Sequence, residues 1–138
     1  MSIALFFITH QGIASNLLRV SETIIQKPGS NLAYSEVAMD APIKKTIDSI
    51  KNKLNQLSMD DGILFITDMY GSTPGNIAQQ LAIEYNADLV SGVNLPMVIR
   101  LLNYRDETEQ ELLNKALEGG QHGIQPYPRN NHRLTKTS

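Results

Sequence analysis

Residues 3–12 have the sequence IALFFITHQG, in which six consecutive apolar residues are followed at once by a threonine, a histidine and a glutamine–glycine pair. A short, unbroken apolar run of this kind is typical of a strand that is buried on both faces of a parallel sheet. Residues 63–76, ILFITDMYGSTPGN, begin with a second run of the same type and also continue into polar residues and glycines. Two such strands predict a sheet that is covered by helices on both faces.

Helical patterns alternate with strands along the rest of the chain. We predict further strands over Leu32–Ala38 and Ala87–Val93, and helices over Ile13–Gln26, from Pro42 to about Leu57, from Pro74 onward, from Pro96 to about Tyr104, and over Glu107–Leu117, where Gly119-Gly120 ends the last one. This order predicts a doubly wound α/β fold with a mainly parallel sheet, the flavodoxin-like strand order 2-1-3-4, and helices on both faces. The short segment Gly123–Tyr127 predicts an additional C-terminal edge strand.

The composition is that of one ordinary globular domain. The chain has 138 residues, of which 41% are hydrophobic and 19% charged, and a formal net charge of −2 at pH 7. It contains neither cysteine nor tryptophan, so disulfides and cysteine metal sites are excluded, and binding of nucleic acid is not expected. Because no apolar stretch reaches roughly 18 residues, we expect a cytoplasmic protein. The length predicts one domain over residues 1–127. The polar composition of residues 128–138 predicts a disordered tail.

Two polar residues follow the strands that this topology places side by side. His10 comes directly after the first strand and Asp68 directly after the third, and in the order 2-1-3-4 these strands are neighbours about 4.8 Å apart. Ligand sites in such sheets lie beyond the carboxyl ends of the strands, where the strand order reverses. A carboxylate beside an imidazole accepts one ring N–H and leaves the other nitrogen as a nucleophile. We therefore predict that His10 and Asp68 form a catalytic pair.

The segment after Asp68 has the residue types of an anion site. Gly71 permits an unusual backbone turn, while Ser72 and Thr73 offer hydroxyls and backbone N–H groups. Thr73-Pro74 is interpreted as the N-cap and first residue of the third helix, whose unpaired amides and positive dipole end attract an anion. We predict that Gly71, Ser72 and Thr73 bind a phosphoryl group. No cluster of acidic or histidine residues has metal-ligand spacing, so neither a metal nor a cofactor is expected.

Each of these residues also has a purely structural interpretation, and other chemistries use related residues. A single histidine after a strand is more often structural than catalytic, Asp68 could only cap the next turn, and the glycine–serine–threonine–proline run could only start a helix. There is no Gly-x-x-x-x-Gly-Lys loop for ATP, no glycine-rich dinucleotide loop, and no Arg-His-Gly as in histidine phosphatases. Asp68 could be the phosphoacceptor of a receiver domain, but Thr9 and His10 stand where acidic metal ligands are needed. His122 and His132 are assigned no role.

The chain resembles the IIA domain of the mannose–fructose–sorbose family of phosphoenolpyruvate-dependent phosphotransferase systems. The motifs that carry the resemblance are Thr9-His10, residues 67–76 (TDMYGSTPGN) and residues 92–97 (GVNLPM), and the similarity covers roughly residues 3–127. It implies that His10 is the phosphohistidine, that Asp68 fixes its tautomer, and that the hydroxyl of Thr73 contacts the phosphate. It further implies phosphotransferase activity, in which a phosphoryl group is received from the histidine-containing phosphocarrier protein and passed to a IIB component for sugar uptake. The resemblance also implies a homodimer in which C-terminal strands cross between subunits, and a link to the membrane only through transporter components.

The sequence departs from the Gly-Gly-Ser-Pro-Phe-Asn motif that is usual in this family. Ser72 replaces the second glycine, Thr73 the serine and Gly75 the phenylalanine, and Gln11 replaces a glycine after the histidine. The Gly-Ser-Thr-Pro form is similar to IIA proteins of incomplete phosphotransferase systems, which regulate rather than transport. A regulatory protein that signals by its phosphorylation state is therefore an alternative function, and a small-anion-binding module without catalysis is a third.

Overall fold

The computed structural model of the protein describes residues 2–130. Within them, four strands and five helices follow one another: β1 Ala4–His10, α1 Ala14–Ile25, β2 Leu32–Val37, α2 Ile43–Leu54, β3 Ile63–Thr67, α3 Thr73–Glu84, β4 Asp88–Val90, α4 Leu95–Asn103 and α5 Glu109–His122. All strand pairs are parallel, in the order β2-β1-β3-β4. None of these helices is long and apolar enough to cross a membrane. The predicted doubly wound α/β fold and its strand order are confirmed.

The strand β1 lies between two hydrophobic cores. Phe7 packs with α1, α4 and α5 on one face of the sheet, whereas Ile8 packs with α2 and α3 on the other. Residues 3–8 are all buried, which explains why the β1 sequence is continuously apolar rather than alternating. Because side chains alternate along a strand, His10 lies on the α2–α3 face and Thr9 on the α1 face.

The last helix is longer than predicted, because two glycines lie inside it instead of ending it. α5 continues through Gly119 and Gly120 to His122. A Cβ atom at Gly119 would lie 2.8 Å from the Cβ of Arg100, and one at Gly120 would lie 2.9 Å from the Cε of Met97. Glycine is needed at position 119, where α4 approaches α5 closely and a Cβ atom would also lie 3.0 Å from the Pro96 carbonyl oxygen. The predicted helix end at Gly119-Gly120 is therefore wrong.

The C-terminal edge strand predicted over Gly123–Tyr127 is not formed within this chain. Gly123 turns directly out of α5, and residues 124–128 belong to neither a helix nor a strand. Ile124 is 75% exposed, and a short segment with so few apolar side chains gains too little from burial to fix a lone strand on the sheet. Of the predicted tail over residues 128–138, the part from residue 131 onward lies outside the described residues.

Candidate functional site

The loops after β1 and β3 bring their side chains together at the carboxyl edge of the sheet. Each loop contains a glycine in the left-handed region, Gly12 with φ +85° and Gly71 with φ +82°. Glycine adopts this conformation without the strain that a side chain causes, so the chain turns sharply as soon as each strand ends. Since β1 and β3 are paired directly, His10 and Asp68 leave the sheet side by side.

The structure places His10 and Asp68 in direct contact. The Nδ1 atom of His10 lies 2.8 Å from Oδ2 of Asp68, and the same oxygen accepts a 3.0 Å hydrogen bond from the His10 backbone N–H. The other carboxylate oxygen accepts a 3.0 Å bond from the Met69 backbone N–H. The His10 side chain is 35% exposed and the Asp68 side chain 14%. The imidazole is thus open to a partner molecule, while most of the carboxylate is shielded.

The surroundings of Asp68 keep its carboxylate charged. Burial raises the pKa of Asp68, but hydrogen bonds from the backbone N–H and the ring of His10, together with attraction to that ring, outweigh burial and leave the pKa below its ordinary value. An ionised carboxylate has only acceptor atoms, so Nδ1 must carry the proton in the Nδ1–Oδ2 contact. In a neutral imidazole the lone pair then lies on Nε2, across the ring from the proton. Nε2 is therefore the ring nitrogen whose lone pair is free.

The helix α3 begins one residue earlier than predicted, which changes the roles of its first two hydroxyls. Ser72, not Thr73, is the N-cap, because its Oγ accepts a 3.3 Å bond from the Gly75 backbone N–H and donates a 2.7 Å bond to the Met69 carbonyl. Thr73 is the first helical residue, Pro74 is the second, and the side chain of Thr73 is exposed. The Ser72 hydroxyl is thus used within the loop, whereas Thr73 offers an exposed hydroxyl and a first-turn N–H.

Two further residues hold the loop that carries His10, and the sequence-based prediction assigns no role to either. Thr9 is fully buried, donates from Oγ1 to the His10 carbonyl at 2.9 Å, and accepts a 3.0 Å bond from the Ala14 backbone N–H. Glu36 accepts bonds from the backbone N–H and the hydroxyl of Ser15, at 2.8 and 2.6 Å. The role of Thr9 could have been inferred from the sequence, because it is a polar residue at the end of a buried apolar run. Glu36 is recognisable only from the β1–β2 register, which places it opposite Thr9.

The other histidines and acidic residues form no metal site in the described part of the chain. His122 is the exposed last residue of α5, and His132 lies outside the described residues. Between residues 2 and 130, no group of three or more histidine, aspartate or glutamate side chains is arranged to hold a metal ion. The chemistry-bearing groups that the structure brings together are the His10–Asp68 pair and the start of α3.

This arrangement lies in a chain that matches a known family over most of its length. The family model EIIA-man, described as the PTS system fructose IIA component, matches residues 4–117. The chain belongs to this mannose-type EIIA family. The family expected from the motifs around His10 and Asp68, a IIA component of a phosphotransferase system (PTS), is therefore confirmed.

Named relatives of this EIIA chain agree with the family match. The PTS system mannose-specific EIIAB component of Escherichia coli (strain K12) is 28% identical over 127 residues, which cover 90% of this chain and 39% of that protein. The PTS system fructose-specific EIIA component of Bacillus subtilis (strain 168) is 31% identical over 85 residues, covering 57% of this chain and 58% of that protein. The mannose/sorbose-specific IIA subunit from Enterococcus faecalis shares the fold, with a TM-score of 0.80 and 22% identity over 93% of this chain and 96% of that one. The chain thus spans less than half the length of the E. coli relative.

Proposed function

We propose that this chain is a IIA phosphocarrier, which accepts a phosphoryl group on Nε2 of His10 from the histidine-containing phosphocarrier protein and passes it to a IIB component for sugar uptake. The observation that carries the proposal is the 2.8 Å contact between Nδ1 of His10 and the ionised carboxylate of Asp68. This contact holds the proton on Nδ1 and leaves the lone pair on Nε2. The proposed donor places the reaction in the cytoplasm.

The proposed reaction exchanges one phosphorus–nitrogen bond for another. The lone pair of Nε2 attacks the phosphorus of the donor's phosphohistidine, the donor P–N bond breaks, and its electron pair returns to the donor nitrogen. The phosphorylated His10 ring then carries the phosphoryl group on Nε2 and a proton on Nδ1, so the ring is cationic. Asp68 stabilises this cation through a charge-assisted hydrogen bond worth about 1.5–3 kcal/mol. Transfer to the IIB component repeats the exchange, with His10 as the leaving group.

The start of α3 supplies the groups that would bind the phosphoryl oxygens. Thr73 offers an exposed hydroxyl and a first-turn N–H, and the positive end of the helix contributes about 0.3–1 kcal/mol for an exposed anion. The hydroxyl of Ser72 is already bonded within the loop on both its donor and its acceptor side. We therefore assign Thr73 as the direct phosphoryl ligand, with Gly71 and Ser72 shaping the loop that presents it.

Exposed apolar side chains at the same edge of the sheet favour a protein as donor and acceptor. Ile13, Met39, Met69 and Tyr70 lie in the loops after β1, β2 and β3, and they are between 38% and 93% exposed. Small metabolites are usually enclosed in concave pockets, whereas apolar side chains left at a surface are typical of protein interaction sites. These four residues suit the docking of a folded carrier protein over His10.

The outer edge of β4 supports the further proposal that the protein is a homodimer. Within the described residues β4 pairs only with β3, and a surface groove beside it is lined in part by Tyr70, Ile83 and Leu89. An open strand edge with apolar residues next to it is a site for pairing with another chain. Residues 124–128, which belong to no strand within one chain, would cover this edge in a second copy. Closed two-fold symmetry is also the commonest oligomeric arrangement.

The loop before α3 favours a second candidate function, a regulatory IIA protein without a transport step. A Cβ atom at Gly75 would lie 2.5 Å from the Met69 carbonyl oxygen, so the phenylalanine of the usual family motif does not fit this loop. The surface that this loop offers to an acceptor protein therefore differs from the usual one, while His10 and Asp68 are retained. In this candidate the phosphoryl group is received on His10, but no IIB component removes it.

Phosphorylation in a reconstituted system tests both candidates. The chain is incubated with phosphoenolpyruvate, enzyme I and the phosphocarrier protein, and its intact mass and phosphorylated residue are measured, with omission of the phosphocarrier protein as the control. We expect one phosphoryl group on His10, lost again when the IIB component is added. A phosphoryl group that is stable to the IIB component supports the regulatory candidate. Absence of phosphorylation refutes both and leaves a non-catalytic anion-binding module.

A further inference from the structure

The helix α1 begins without a capping side chain of its own, and Glu36 of β2 takes that place. Ile13, the N-cap residue, makes no side-chain bond to the helix. Oε2 of Glu36 instead accepts bonds from the backbone N–H and the hydroxyl of Ser15, at 2.8 and 2.6 Å, and the backbone N–H of Gly12 is directed at the same carboxylate. One carboxylate therefore caps the first turn of α1, directly after the loop that follows His10.

The same turn is bonded to the residue that carries the reacting nitrogen. The two intervening amides bond back to β1, one to the His10 carbonyl at 3.3 Å and one to Oγ1 of Thr9 at 3.0 Å. On its other side, His10 is held by the 3.0 Å bond from its own N–H to Asp68. The position of the His10 ring thus depends on Asp68 on one side and on the turn that Glu36 holds on the other.

The charge of Glu36 lies at the N-terminal end of α1. Burial raises the pKa of Glu36, but hydrogen bonds from Ser15 and Gly12, together with the attraction of Lys53, outweigh burial and lower the pKa below its ordinary value. A negative charge at this end of a helix offsets the helix dipole. The first turn of α3, in contrast, contains no acidic residue. Of the two helices that follow β1 and β3, α3 alone therefore presents an uncompensated positive end to a phosphoryl group.

We propose that Glu36 is a positioning residue for phosphoryl transfer, which acts by holding the turn after His10 and by neutralising the end of α1. Its effect on the transfer rate rests on the phosphocarrier function proposed above. Loss of the charge on Glu36 loosens the turn and displaces Nε2 from its line of attack. A displacement of about 1 Å lowers rates by about 100-fold in enzymes, so a partial loosening is expected to lower kcat by about tenfold.

Glu36→Gln tests this role, and Glu22→Gln is its matched control. Glu22 is also half-buried and accepts a backbone N–H bond, from Gly29 at 2.6 Å, but it does so at the opposite end of α1. For each variant we measure the free energy of unfolding, kcat and KM for transfer from the phosphorylated carrier protein, and the nitrogen-15 chemical shifts of the unphosphorylated His10 ring. We expect Glu36→Gln to lower kcat about tenfold with KM within about twofold, and to move the ring shifts. Glu22→Gln should change stability alone.

A kcat for Glu36→Gln equal to that of the wild type, or His10 ring shifts no different from those of Glu22→Gln, overturns the proposal. If the wild type accepts no phosphoryl group, the phosphocarrier function fails, and the ring shifts still decide the role of Glu36. If Glu36→Gln does not fold, Ser15→Ala removes the shorter of the two contacts to Glu36 and is measured in the same way. It is expected to lower kcat about threefold, and a wild-type kcat with unmoved ring shifts contradicts the proposal.

Discussion

Asp68→Asn removes the charge beside His10 while keeping the size of the side chain. In the wild type, one carboxylate oxygen accepts bonds from both the backbone N–H and the ring of His10, and the other accepts the Met69 N–H. An amide has a single acceptor oxygen, so its NH₂ group must face one of these donors. Where the NH₂ faces Nδ1, the ring proton moves to Nε2, and the nitrogen that should attack phosphorus is blocked.

The expected size of the effect follows from the lost charge. A charge-assisted hydrogen bond contributes about 1.5–3 kcal/mol, and every 1.36 kcal/mol changes a rate about tenfold. If this stabilisation of the cationic ring is lost, transfer to His10 falls roughly 10- to 150-fold. The free energy of unfolding should fall by about 1–3 kcal/mol, which leaves an ordinary domain folded.

Rapid-quench transfer from the phosphorylated carrier protein measures this rate, and urea titration followed by circular dichroism measures stability. Asp40→Asn, an exposed aspartate in the loop between β2 and α2, is the matched control and should transfer at the wild-type rate. A folded Asp68→Asn protein whose transfer rate lies within about twofold of the wild type would refute the reasoning, because a change that small is far below the loss expected from one charge-assisted bond. Asp68 would then be only a turn residue.

Further predictions concern the other site residues, acid stability and assembly. His10→Ala should abolish phosphorylation in mass analysis, and a phosphoryl group persisting on another histidine contradicts the assignment. Ser72→Ala should lower the free energy of unfolding by about 1 kcal/mol through loss of the N-cap. Thr73→Val should slow phosphoryl transfer with little change in the urea midpoint. If Ser72→Ala instead slows transfer and Thr73→Val lowers stability, Ser72 is the phosphoryl ligand and Thr73 the stabilising residue. Because the folded pKa of Asp68 lies below its ordinary value, its contribution to stability is present above the unfolded pKa of about 3.9 and is lost as the pH falls through the lower folded pKa. Acid titrations should therefore show the wild type losing more stability than Asp68→Asn in this range, and parallel curves contradict this. Light scattering at micromolar concentration should give twice the chain mass for the full chain and the single-chain mass after truncation behind α5; a monomeric full chain contradicts the dimer.

Predictions from short sequence motifs were wrong where the same motif is compatible with two different local structures. Two adjacent glycines mark a helix end in one context and close helix packing in another, and the contact of Gly119 and Gly120 with α4 selects the second. Ser72 and Thr73 are both good N-cap residues, and the bonds of the Ser72 hydroxyl within its own loop decide which of them caps α3. Such choices depend on contacts that residue spacing does not contain.

The sequence by itself determined the two central strands and the pair of residues that follows them. A strand buried on both faces must be continuously apolar, so β1 and β3 can be predicted from the sequence. Parallel topology then brings His10 and Asp68 to the same edge of the sheet. Only the tertiary structure decided what holds that pair in place. Glu36 contacts the turn after His10 because the β1–β2 register sets it opposite Thr9, and a register between strands is a property of the folded sheet, where residues distant in the chain become neighbours.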